Sequence, residues 1–147
     1  MSEVIQRLEL GHQGKRPGWI CVDFRSKPNA EPDYVLNMEE AKLPFPDNTF
    51  DLVRAFHVLE HIRNLLPLMD EVWRITKPTG RFEIEVPVFP SSDAFIDPTH
   101  VRYFTQHTFN YWIQGIGFTD LYELKPWKYL EKQCPNHLQV VLQPVKS

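Results

Sequence analysis

Short apolar runs, each closing on a small or polar residue, organise the first part of the chain. Arg7-Leu8-Glu9-Leu10 ends at Gly11, Trp19-Ile20-Cys21-Val22 ends at Asp23, and Tyr34-Val35-Leu36 ends at Asn37. A longer run from Phe50 to about Phe56 ends at His57. Runs of this length bounded by turn residues predict strands, the second of them buried on both faces. The period then changes. Leu65, Leu66, Leu68, Met69, Val72, Trp73 and Ile75 fall at helical spacings, with Asp70, Glu71 and Arg74 on the other side. Pro67 suits only a first turn, so this helix begins close to Asn64 and stops at Thr76-Lys77-Pro78-Thr79-Gly80. Arg81 to Val86 alternates strictly and predicts a fifth strand. Thr105 reads as the N-cap of a helix carrying Phe109, Trp112 and Ile113. Leu121 to Leu124 and Leu138 to Leu142 read as a terminal strand pair. Strands alternating with helices and then a hairpin predict an α/β fold. It is Rossmann-like, with a mostly parallel sheet and a C-terminal antiparallel strand pair.

Composition narrows the function classes. A chain of 147 residues, 42% hydrophobic and 24% charged, fits one globular domain spanning 1–147. A net charge of -3 offers no general attraction to nucleic acid or anionic lipid. Cys21 and Cys134 are too few for a disulfide framework, which favours a reducing, cytoplasmic setting. No signal pattern or membrane-length apolar stretch is expected. The 13 prolines are scattered, as in a loop-rich small domain.

Ligands of open parallel sheets lie beyond the carboxyl ends of the strands. That rule selects Gly11, Asp23, Asn37 and Phe56-His57. A glycine allows close backbone approach, and a carboxylate accepts from both hydroxyls of a ribose. An Asn reads a base edge, and the adjacent Met38 packs on its face.

These segments resemble class I S-adenosylmethionine-dependent methyltransferases, in a compact form similar to the type 11 branch. Leu8-Glu9-Leu10-Gly11 resembles the family's first strand and glycine turn, and Trp19-Ile20-Cys21-Val22-Asp23 its second strand with the ribose-binding acid. The stretch from Leu43 to Val53, continued by His57-Val58-Leu59-Glu60-His61, is similar to the approach to strand four and its exit. Ile75 to Gly80 is similar to the loop before strand five, and Asp97 to Thr105 to a segment of one branch after it. The resemblance implies S-adenosylmethionine as cofactor and a methyl acceptor that the residues do not identify. It implies that Gly11 and its neighbour His12 lie against the methionine part and that Asp23 holds the ribose. Asn37 and Met38 would bracket adenine, and Phe56 and His57 would line the floor near the sulfonium. If the acceptor must lose a proton, His57 and His100 are the catalytic candidates. Two departures stand out: Gln13 occupies the place of the second glycine, and only about seven residues separate Gly11 from Trp19, too few for the usual first helix. Its loss removes backbone donors and a dipole from the cofactor carboxylate. Weaker cofactor binding, or a pocket completed by a second subunit, follows as an expectation, and the small size leaves room for a homodimer.

Other readings stand beside this one. A second reading is a chain that keeps the fold as a catalytically inactive binding or assembly protein. His57-x-x-Glu60-His61 also matches the H-x-x-E-H pattern of zinc hydrolases, with Glu83 or Glu85 within the sequence as further ligands. That pattern needs a helix interior, whereas His57 falls at a strand end, and no metal is assigned. Structurally, Glu60 and His61 would cap a helix start, and His100 and Arg102 would pin their loop through Asp97 or Asp93. Trp19, Trp73 and Trp112 are expected in the core, and Trp127 and Tyr129 in an irregular polar stretch.

Overall fold

The computed structural model describes residues 4–11, 16–26, 28 and 31–147. Its seven strands are β1 (Arg7–Leu10), β2 (Ile20–Asp23), β3 (Tyr34–Val35), β4 (Phe50–Phe56), β5 (Thr76–Val86), β6 (Trp127–Gln133) and β7 (Leu138–Pro144). They form one sheet in the order β3-β2-β1-β4-β5-β7-β6. The first five run parallel, and β7 lies antiparallel between β5 and β6. The predicted Rossmann-like sheet is present.

One long helix, α1 (Leu65–Ile75), crosses from β4 to β5 and buries Leu65, Leu68, Met69, Val72 and Ile75. The residues predicted for its polar side tie it to its surroundings. Glu71 accepts from the Leu43 amide at 2.9 Å, and Arg74 spans Glu71, Asp47 and the Leu43 carbonyl. Two single-turn helices, α2 (Asp93–Ile96) and α3 (Phe118–Leu121), and a 3₁₀ turn over Thr108–Trp112 complete the later half.

In-register pairing separates the two faces of the sheet. Leu8, Leu10, Val22, Val53, Ala55, Phe82, Ile84, Val86, Val140 and Leu142 share one core with α1. Cys21, Glu9, Arg54, Glu83 and Val141 line up in register across the opposite face. Right-handed crossovers explain the difference. The chain moves one way from β1 to β2 and the other way from β4 to β5, so a right-handed β4–β5 crossover puts its helix on one face only. The second connection carries α1.

Several boundaries differ from the sequence reading. The segment Thr76 to Gly80 belongs to β5, where it bulges between the pairs Phe50–Thr76 and Leu52–Arg81. Gly80 passes so close to the chain that a Cβ there would stand 2.8 Å from the Phe50 carbonyl oxygen. Thr105 starts no α-helix. Its hydroxyl accepts from the His107 amide, and Phe109 and Trp112 are buried by a 3₁₀ turn instead, with Ile113 just after it. The stretch Leu121 to Leu124 is the end of α3 and a turn, closed where the Leu124 amide donates to the Thr119 carbonyl at 2.8 Å. The outer strand of the hairpin is β6, so Trp127 and Tyr129 are not irregular. Trp127 is fully buried against Phe82, and the Tyr129 hydroxyl donates to Asn110 at 2.8 Å. Trp73 and Trp112 pack in or against the core, whereas Trp19 lies on the polar face beneath Arg54.

Candidate functional site

A cleft of about 470 Å³ opens at the carboxyl ends of the parallel strands, within the roughly 300–1,000 Å³ of small-molecule sites. Every described residue selected for cofactor binding lines it: Gly11, Asp23, Asn37, Met38, Phe56 and His57. His12 lies outside the described residues. Phe24, Arg25, Glu39, Val58, His61, Ile62 and Thr99 complete the walls.

Each position follows from local chemistry. Gly11 has φ +76, and a Cβ there would stand 2.2 Å from Val58 Cγ2, so both backbone and space demand glycine. Its amide donates to the Val22 carbonyl, closing the turn against β2. Asp23 ends β2 almost fully buried, and Oδ1 accepts from the Phe24 amide at 2.7 Å. Asn37 Oδ1 accepts from the Glu39 amide and caps the 3₁₀ turn Met38–Glu40. Phe56 is 37% exposed toward the cleft, with the Arg54 guanidinium 4.8 Å from its ring centroid.

Glu39 was not singled out from the sequence, yet it joins the cleft to α1. Its carboxylate accepts from the Arg63 and Asn64 amides at 2.7 and 2.9 Å, and its carbonyl accepts from the Asn64 side chain. A carboxylate at a helix start is favourable, since free amides and the dipole face it. An acid 24 residues before its partner carries no local capping signature.

His57 adopts φ +58, which turns the chain out of β4. Its amide donates to the Glu85 carbonyl, and Nε2 lies 2.9 Å from Glu85 Oε2. Glu85 Oε1 is held by Gln139. With a proton on Nε2 shared with that carboxylate, Nδ1 presents a lone pair. His100 stands outside the cleft lining. Its Nδ1 meets the Ala94 carbonyl at 2.9 Å, and its ring packs on His61 at 4.8 Å.

Glu60 is 1% exposed. Burial pushes its carboxyl above the usual range, against the opposing pull of His61, His57 and His100. Its carboxyl is met by its own backbone amide at the start of the turn Leu59–His61, and the Glu60 carbonyl does the docking, accepting from the Val101 and Arg102 amides. The Arg102 guanidinium donates to the Ile62 and Arg63 carbonyls, not to Asp97 or Asp93. The segment 97–104 is thus pinned along 60–63, and Thr99 reaches the cleft. His57 and His61 occupy no common helix. His57 Nδ1 stands 3.7 Å from Glu60, but its ring groups with Glu85 and His137 while His61 groups with Glu60 and His100, so the two imidazoles of the H-x-x-E-H pattern do not converge on one ion.

Comparison with known proteins agrees with this architecture. A family model described as a methyltransferase domain matches residues 21–84. An uncharacterised methyltransferase of Schizosaccharomyces pombe is 51% identical over 39 residues, covering 26% of this chain and 14% of its own. The demethylmenaquinone methyltransferase of Symbiobacterium thermophilum is 28% identical over 103 residues, covering 65% of this chain and 38% of its own. This chain therefore spans well under two thirds of the length of those curated relatives. A solved S-adenosylmethionine-dependent methyltransferase from Archaeoglobus fulgidus superposes with TM-score 0.67 at 17% identity, covering 95% of this chain and 86% of that one. A chain from the Haloferax volcanii complex of the Trm112 methyltransferase activator with a methyltransferase superposes with TM-score 0.68 at 15% identity, over 100% and 85% of the two chains.

Proposed function

The chain belongs to the class I S-adenosylmethionine-dependent methyltransferase superfamily, and on that premise we propose that its cleft binds S-adenosylmethionine and serves methyl transfer to an acceptor. The observation that carries this reading is the convergence of Gly11, Asp23, Asn37-Met38 and Phe56-His57, from the ends of four neighbouring strands, on one cavity.

The residues fit the group. Asp23 supplies a buried carboxylate for the ribose hydroxyls. Met38 and Asn37 offer an apolar face and an amide for adenine. Gly11 lines the cleft without a side chain and so lets the methionine part approach its backbone. The bound cofactor supplies a methyl group activated on a sulfonium. The chain's own work is alignment, since in-line displacement needs acceptor and methyl held together. His57, oriented by Glu85, can take a proton at Nδ1 from an acceptor that must lose one. We place the protein in the cytoplasm, where its two free cysteines stay reduced.

Calorimetric titration with S-adenosylmethionine and S-adenosylhomocysteine tests the reading, with Asp23→Ala as the comparison. Micromolar binding that the substitution weakens about tenfold or more supports it, because a charged acceptor of two hydrogen bonds is lost. No binding of either ligand at millimolar concentration overturns it. The surviving alternative is then an inactive assembly protein, a reading that Gln13 in place of the second glycine favours.

A further inference from the structure

Behind the cleft wall, Glu60, His61 and His100 bring one ligand atom each to within 4.8 Å of one another. Glu60 Oε2 is buried and has no hydrogen-bond partner among the described residues. Glu60 Oε1 lies 3.7 Å from His57 Nδ1 and 3.8 Å from His61 Nε2, both beyond hydrogen-bond reach. A carboxylate oxygen left without a partner at this depth is costly unless something positive meets it.

The hydrogen bonds around the two imidazoles say which nitrogens face it. The Ala94 carbonyl can only accept, so His100 Nδ1 carries a proton and donates. The Thr99 hydroxyl spends its one proton on Asp97 Oδ1 at 2.6 Å and therefore accepts from His61 Nδ1 at 3.0 Å. Both rings are thereby fixed in the tautomer with a lone pair on Nε2, that of His61 3.8 Å from Glu60 Oε1 and that of His100 3.8 Å from Asp97 Oδ2. Outer acceptors that set the tautomer and aim of an imidazole are what metal-ligating histidines carry. The neighbouring group of His57, Glu85 and His137 lacks this character, because His57 meets Glu85 at 2.9 Å and His137 meets Asp93 at 3.3 Å.

We propose that Glu60 and the Nε2 atoms of His61 and His100 form a binding site for a divalent transition cation of the zinc type. Two imidazoles and one carboxylate are a donor set suited to that ion. Donors on a tetrahedral zinc stand about 3.3 Å apart, given bonds of roughly 2.0–2.1 Å. The set closes onto the ion by side-chain rotation of about 1.5 Å or less. His61 is partly exposed to the cleft and gives the entry path. The ion would bridge the turn after β4 to the segment 97–104, with an open coordination position beside the cleft.

Titration of the metal-stripped protein with Zn²⁺ alone, by calorimetry and by the visible spectrum of the Co²⁺ form, tests the proposal without cofactor. It therefore stands or falls apart from the methyltransferase reading. Saturable one-to-one binding is expected, weakened about a hundredfold or more by His61→Ala and Glu60→Gln, and tenfold to a hundredfold by Thr99→Val. His137→Ala should leave the affinity unchanged. Glu60→Gln keeps the shape and removes the buried charge, so it should melt no lower than wild type in chelator while losing the zinc-induced rise. Absence of saturable binding overturns the site. So does binding that survives both Glu60→Gln and His61→Ala, or that His137→Ala abolishes.

Discussion

The two faces of the sheet solve the same burial problem in opposite ways. On the face under α1, Leu8, Val53, Phe82 and Leu142 lie in register and are all fully buried. Each such side chain contributes about 1.5–3 kcal/mol from loss of water contact. One residue further along every strand, the other face carries Glu9, Arg54 and Glu83, with Arg54 bonded to Glu83 at 3.2 Å and stacked on Trp19. Charged pairs of this kind offset their own desolvation and add little more. The contrast teaches that a Rossmann-like sheet can keep an apolar core on one face while the other carries charged pairs. Stability then rests on one side, while the strand ends that form the cleft remain in place.

The comparison breaks most visibly at Phe82. Phe82→Ala should cost about 3–5 kcal/mol, read from urea unfolding, because the cavity opens under α1 and Trp127. A loss near 1 kcal/mol would mean that the covered face carries less than the burial suggests. A finer test uses adjacent residues of one type in β7. Val140 is buried on the core face and Val141 is half-buried on the other. Val140→Thr should cost about 1–3 kcal/mol for a hydroxyl placed in the core, and Val141→Thr should stay within about 0.5 kcal/mol. Equal effects would erase the distinction between the faces.

The smallest effect is expected in acid, away from both faces. Burial opposes ionisation of Glu71, but Arg74 and the Leu43 amide outweigh it and hold the carboxyl below its ordinary value of 4.5. A lowered folded value means that this stability is fully present above the ordinary value and lost as pH falls through the folded one. Glu71→Gln should therefore flatten the decline in melting temperature below about pH 4.5. An unchanged acid profile would show that the clamp on Leu43 and Asp47 contributes nothing.

Much of this was legible in the residues because the relevant signals are local. Apolar runs ending at Gly11, Asp23, Asn37 and His57 mark both the strands and the cleft, since in a parallel sheet one set of chain ends does both jobs. Pro67 and the helical spacing located α1 to within a residue. What escaped depends on distant partners. Thr76 to Gly80 looks like a loop by composition, yet pairing with Phe50 and close backbone packing at Gly80 make it strand. Trp127 looks polar in company, but β7 and Phe82 bury it. Glu39 and the orphaned Glu60 carboxylate gain meaning only when segments far apart in the chain meet.

The link that Glu39 makes has a consequence for exchange with solvent. The amides of Arg63 and Asn64 are tied to a carboxylate that also forms part of the cleft wall. Their deuterium uptake therefore reports on whatever occupies the cleft. A ligand that steadies Glu39 slows uptake at those two positions, and one that draws the carboxylate away frays the first turn of α1 and speeds it. Two backbone protons thus register a ligand they do not touch.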